Sequence, residues 1–127
     1  MMNLIAVFLG GGLGSVTRYA LGLAIKRLGF MAPAGTLASN VLASALLLGL
    51  LAMYANESGG AVKSNPWLLL WTVGFCGAFS TFSTFAADTI ALFQTHGLMW
   101  SVGNIAVNVL LCVAVGWWIW STTQAVQ

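Results

Sequence analysis

Charge is what this chain has least of. Arg18, Lys26, Arg27 and Lys63 are its basic residues and Glu57 and Asp88 its acidic ones, in 127 positions, whereas about a quarter of the residues in a soluble domain are charged. Histidine occurs once, at His96, and cysteine twice, at Cys76 and Cys112. So few titratable groups supply neither a nucleophile–base arrangement nor a paired-carboxylate site, which argues against an enzyme. The two cysteines match no metal or redox spacing, and no phosphate-cradling loop is present. Without a basic run or basic residues interleaved with aromatics, nucleic acid is not an expected partner. No basic region precedes the first apolar run and Arg18 interrupts it, so a cleaved signal peptide is not expected.

What is abundant is apolar sequence: 60% of residues are hydrophobic and the mean hydropathy is +0.96. This composition predicts an all-α integral membrane protein, a single domain over 1–127 with four transmembrane helices at about 4–25, 37–55, 67–94 and 98–120. Lys26, Arg27 and Gly29 read as the end of the first helix, and Thr36 as the N-cap of the second. Residues 56–66 read as a water-facing connection. Trp67, Trp71 and Trp100 near span starts, and Trp117, Trp118 and Trp120 near an end, match interfacial aromatic belts. Ala6, Gly10, Gly14, Arg18 and Gly22 recur every four residues along the first span, a small-residue stripe for close helix approach. Arg18 on that stripe fits a structural role, snorkelling or bonding carbonyls of a facing helix, and also fits attraction of an ion.

The third apolar run is longer than the roughly 20 residues that a straight span needs. Within it lies Gly-Phe-Cys-Gly-Ala-Phe-Ser-Thr-Phe-Ser-Thr-Phe, residues 74–85. Glycines and hydroxyl residues are poor helix formers, and hydroxyls compete for their own backbone, so a helix broken near its middle is expected here. Irregular backbone at membrane depth survives only where protein covers it or it lines a polar cavity, which makes this stretch the first functional candidate. Asp88, one turn further on, reads either as a cap for the second half or as a partner of Arg18.

Uncharged polar residues supply the other signal. Asn40 shares a helical face with Thr36 and Ser44, and Asn104, Asn108 and Cys112 line a face of the fourth span. A carboxamide in hydrocarbon needs a partner or water, so Asn40 is either an interhelical bond or a pore-facing donor. Together with Ser80, Thr81, Ser83 and Thr84, these groups form a neutral lining that replaces an ion's water without holding the ion too tightly. Phenyl ring edges are electropositive, so rings of Phe79, Phe82 and Phe85 presented edge-on favour an anion, although such spacing also suits plain packing. The loop charges are so evenly divided that the chain is expected to insert both ways up, making an antiparallel dimer possible, with two broken helices covering each other.

The 74–85 stretch resembles the GxxGGxTTFSTF signature of the Fluc (CrcB) family of bacterial fluoride channels. Gly11-Gly12-Leu13-Gly14 leading to Arg18-Tyr19 is similar to that family's first-helix pattern, and Pro33-Ala34-Gly35-Thr36-Leu37 followed by Asn40 to its PxGTLxxN element. The resemblance implies a fluoride-selective channel of the bacterial plasma (inner) membrane, a dual-topology antiparallel homodimer in lipid with two pores. It further implies a structural sodium ion held at the dimer centre by backbone carbonyls, here of Gly77 and Ser80. Phe82 and Phe85 would be the pore phenylalanines, Asn40 the second-helix pore asparagine, and Asn104, Asn108 and Cys112 the fourth-helix polar track. Three departures stand out: Ala78 for a usual glycine, Ser80 for a usual threonine and Asp88 for a usual glutamate. The competing readings are a small multidrug-resistance-type proton-coupled antiporter, which needs a carboxylate in its first helix where this chain has none, and a non-conducting assembly subunit.

Overall fold

The computed structural model describes residues 1–54 and 65–126. Its elements are α1 (Met2–Arg27), α2 (Ala32–Met53), α3 (Pro66–Leu69), a π-helical turn (Leu70–Cys76), α4 (Gly77–Phe79), α5 (Phe82–His96) and α6 (Leu98–Val126). The third span, Pro66–His96, is thus assembled from four pieces, and with α1, α2 and α6 it makes four helices long and apolar enough to cross a membrane. Most of the connection expected at 56–66, Glu57 and Lys63 included, lies outside the described residues.

Helix ends follow local chemistry. Lys26 and Arg27 fill the last turn of α1, and Gly29 then takes a φ of +84° while its N–H donates to the Lys26 carbonyl. Gly97, at φ +88°, separates α5 from α6 in the same way. The second helix starts earlier than expected, at Ala32. Pro33 sits in its first turn, where a fixed φ and a missing donor cost nothing, and Met31 at the N-cap makes no side-chain cap. Thr36 is therefore not an N-cap. It lies buried inside α2, and its hydroxyl donates to Asp88 Oδ2 at 2.5 Å.

α1 packs on the third span through its small residues. Ala6, Gly10 and Gly14 are buried. A Cβ at Gly10 would overlap the Leu70 carbonyl oxygen, and one at Gly14 the Phe75 carbonyl oxygen. From the other side, a Cβ on Gly74 would stand 2.9 Å from the Gly10 Cα. The two backbones meet at the π turn with no room for a methyl group, the geometry that small-residue stripes permit in membranes. Along one side of the turn, the rings of Trp67, Trp71, Phe75 and Phe79 meet in succession with centroids 5.7, 5.3 and 5.4 Å apart. α2 lies along α6, where Leu48 occupies the space above Gly116.

Candidate functional site

The chain leaves the helix at Ser80 (φ −75°, ψ 157°) and Thr81 (φ −154°, ψ 117°), both extended, and re-enters it at Phe82. Thr81 caps the new helix, its Oγ1 accepting the Thr84 N–H at 3.2 Å. That cap is the role one reading gave Asp88; Asp88 instead accepts from Thr36. Nor does Asp88 pair with Arg18, for no ion pair forms among the described residues. Both residues face a cavity of about 370 Å³ that Lys26, Thr81 and Thr84 also line.

A break frees backbone groups, and α2 answers one of them. The Thr81 N–H donates to Asn40 Oδ1 at 2.8 Å, and Asn40 Nδ2 returns a longer bond to the Thr81 carbonyl at 3.5 Å. Asn40 Nδ2 also donates to Asn108 Oδ1 at 3.4 Å. Asn108 Nδ2 donates to both Oδ1 and the carbonyl of Asn104, each at 3.1 Å. Asn104 Nδ2 donates at 2.7 Å to Thr89 Oγ1, whose own proton goes to the Phe85 carbonyl. The three asparagines are thus links of one chain of hydrogen bonds that starts at the break and reaches Thr89, about two turns into α5. Among the described residues no buried side-chain nitrogen or oxygen lacks a partner.

Beside this chain lies a cavity of about 270 Å³ bounded by Asn40, Ser44, Ser80, Thr81, Phe82, Phe85, Asn108, Val109 and Cys112. No titratable carboxylate, amine or imidazole borders it. The rings of Phe82 and Phe85 stand 5.6 Å apart at an interplanar angle of 53°. Phe82 is 80% exposed in the protomer and Asn108 only 4%. The expected residues divide accordingly. Asn40, Ser80, Thr81, Phe82, Phe85, Asn108 and Cys112 converge on one cavity. Thr84 faces the Arg18 cavity, Asn104 a third and larger one of about 540 Å³, and Ser83 shares a hydrogen bond with the Thr81 hydroxyl at 3.3 Å. Gly77 is exposed, with open space where a Cβ would be.

Sequence reading passed over Thr89 and placed Ser44 on the Asn40 face without giving it a role. Ser44 lies on the Asn40 face, and its hydroxyl donates to the Asn40 carbonyl at 2.8 Å. Thr89 carried a weaker signal, a hydroxyl one turn after Phe85.

The carbonyls of Gly77 and Ser80 have the chemistry of a hard-cation site. The amide four residues after Gly77 is that of Thr81, given to Asn40, and the amide four after Ser80 is that of Thr84, given to Thr81 Oγ1. Both carbonyl oxygens therefore lack their usual helical partners, and oxygen donors of this kind suit an alkali or alkaline-earth ion. No group of three or more His, Cys, Asp or Glu that could hold a metal occurs among the described residues.

Four apolar spans, three of which line a neutral, donor-bearing cavity at a helix break, define a small multi-pass membrane protein with the build of an ion-conducting pore. The chain belongs to the CrcB family: the family described as CrcB-like protein, Camphor Resistance (CrcB), matches residues 5–119. It is 38% identical over 126 residues to the fluoride-specific ion channel FluC of Enterobacter sp. (strain 638), covering 96% of each chain. To the protein of that name from Escherichia fergusonii it is 39% identical over 125 residues, again covering 96% of each. To that from Klebsiella pneumoniae (strain 342) it is 39% identical over 122 residues, covering 93% of each.

Proposed function

We infer that this protein is a fluoride-specific ion channel of the bacterial inner membrane, not an enzyme, and that it lets fluoride leave the cytoplasm passively and so protects the cell from fluoride. The observation that carries this reading is the cavity at Asn40, Thr81, Phe82, Phe85 and Asn108, lined by amides, hydroxyls and phenyl rings and by no fixed charge. A small, strongly hydrated anion crossing there exchanges water for several weak donors and ring edges, and no buried cation traps it. A proton-coupled antiporter needs a carboxylate within the first span, and α1 contains none.

The conducting unit is an antiparallel dual-topology homodimer, surrounded by lipid. Phe82 and Gly77, both exposed in one protomer, become covered when a second copy meets the first about a two-fold axis in the membrane plane. Such an axis also brings the Gly77 and Ser80 carbonyls of two copies together. A sodium ion held there would supply a fixed positive charge that ties the two breaks to each other, with Gly77 and Ser80 contributing backbone oxygen alone. Ser80 in place of threonine leaves that contribution unchanged. Asn40, Thr81, Phe82, Phe85, Asn108 and Cys112 line the pore, with Ser83, Thr84 and Asn104 along its approaches, while Arg18 and Asp88 serve the structure at the α1–α2–α5 junction.

Purified protein in liposomes loaded with fluoride or with chloride tests the reading. Fluoride efflux on dissipation of the membrane potential, with chloride retained, is the expected result; equal release of both ions, or of neither, overturns it.

A further inference from the structure

Resting on the channel reading, we propose that Thr89 is a positioning residue that helps hold the polarity of the asparagine relay, keeping every carboxamide oxygen of the relay on a donor and so away from the anion. The inference starts from the two ends of the relay, which admit one sense only. At one end the donor is the Thr81 backbone N–H, which has nothing to accept with, so Asn40 must offer it Oδ1. At the other end the Thr89 hydroxyl has spent its proton on the Phe85 carbonyl at 2.7 Å, so its oxygen can only accept, and Asn104 must offer it Nδ2. Between these ends each link runs the same way, from Asn40 Nδ2 to Asn108 Oδ1 and from Asn108 Nδ2 to Asn104 Oδ1.

The consequence is electrostatic. Each carboxamide has an oxygen that repels an anion and a nitrogen with two hydrogens that attract one. Here all three oxygens are occupied by donors; the two Asn40 hydrogens go to Asn108 Oδ1 and the Thr81 carbonyl, and Asn104 keeps one hydrogen beyond its bond to Thr89. Reversing any one carboxamide would set two NH₂ groups or two oxygens face to face, so the sense is cooperative along the relay. Thr89 is the acceptor that ends it. The Ser101 hydroxyl, donating to the Thr89 carbonyl at 2.8 Å, ties α6 to α5 at the same level and holds Asn104 in register with Thr89.

Valine matches threonine in shape and lacks the hydroxyl. In Thr89→Val the Asn104 amide loses its acceptor, so the α5 end of the relay no longer opposes a reversal of its carboxamides. The test measures fluoride efflux from liposomes for the parent, Thr89→Val, Thr89→Ser, Asn104→Leu and the Thr89→Val/Asn104→Leu double variant, with thermal unfolding in detergent alongside. Thr89→Val is expected to slow efflux by about tenfold, the size of effect that one lost acceptor for a pore amide supports. Thr89→Ser, which keeps the hydroxyl, is expected to conduct like the parent. In the Asn104→Leu background the same valine should change nothing, because Thr89 acts through Asn104. Parent-like efflux in Thr89→Val overturns the inference and leaves the channel reading standing. So does an equal loss in both backgrounds, or a loss in Thr89→Ser that tracks lost stability. A parent that passes no fluoride overturns the channel reading itself, and this inference with it.

Discussion

Asn40 Oδ1 accepts the backbone N–H of Thr81 at 2.8 Å, so one side chain of α2 both repairs the break in the third span and faces the cavity beside it. The bond joins residues 41 positions apart, and it gives Asn40 two jobs that different substitutions separate. Asn40→Leu strands the Thr81 amide at membrane depth. It is expected to lower stability by about 1–3 kcal/mol, the cost of an unsatisfied buried donor, and to slow fluoride efflux. Asn40→Asp keeps an acceptor for that amide yet carries an acceptor where the anion passes. It should keep the Thr81 amide bonded, lose the donor to Asn108 Oδ1 and conduct poorly. Thermal unfolding in detergent and liposome efflux, measured on the same preparations, separate the two effects.

The Gly10–Gly74 contact makes a prediction about folding alone. Gly10→Ala drives a methyl group into the Leu70 carbonyl, a backbone atom that no rotamer change can move aside. Destabilisation of about 1–3 kcal/mol is expected, as for overpacked cores. At Gly12, where nothing stands within 4 Å of the position a Cβ would take, alanine should be neutral or slightly stabilising within the protomer. If the two variants melt alike, the close approach of α1 to the π turn is not what holds the third span.

At the α1–α2–α5 junction, the Thr36–Asp88 bond predicts an asymmetry. Asp88→Asn keeps an oxygen for the Thr36 hydroxyl and should fold like the parent. Thr36→Val removes the donor from a partly buried carboxylate and should cost about 1.5–3 kcal/mol, the range for hydrogen bonds to charged groups. Arg18→Gln should leave the Asp88 contact untouched, because the two do not pair. Equal losses in all three variants would point to an ion pair after all.

How much of this was legible in the sequence differs from element to element. The four apolar spans were, since length and hydropathy are properties of each segment taken alone. The π turn at Leu70–Cys76 was not: its own residues are ordinary, and what distinguishes it is the nearness of Gly10 and Gly14 on another helix. Why the chain leaves the helix at Ser80 and Thr81, and not elsewhere in 74–85, was equally hidden, because the acceptor for the freed amide sits on α2. Thr36 misled for a related reason. Its type and its place after Pro33 suit an N-cap, but the proline starts the helix itself, one turn earlier, and leaves the threonine free to reach Asp88. Thr89 gives no sign of its role until Asn104 is seen against it.

Dual topology makes a prediction about the α5–α6 join. His96 ends α5 and is exposed, and a single cysteine placed there on a background with Cys76 and Cys112 replaced reports which side of the membrane it faces. In intact cells, half of the population is expected to react with an impermeant maleimide from outside and the remainder only after permeabilisation. Reaction from one side alone ends the antiparallel arrangement, and the sodium site shared across the two-fold axis with it.

Phe82 and Phe85 give the sharpest division between packing and coordination, because their surroundings differ. Phe82 is 80% exposed in the protomer and so contributes little to the fold of one chain, whereas Phe85 is half-buried. Isoleucine retains much of the apolar bulk of either ring and loses the electropositive edge. If the rings only pack, Phe82→Ile should behave as the parent does and Phe85→Ile should lose flux only as far as it loses stability. If ring edges coordinate the anion, both variants should conduct at least about tenfold more slowly in dimers of normal stability, which a rise of about 1.4 kcal/mol in the barrier suffices to produce. Efflux measured beside thermal unfolding decides the matter, and parent-like flux in two stable variants would remove the phenylalanines from the conduction mechanism.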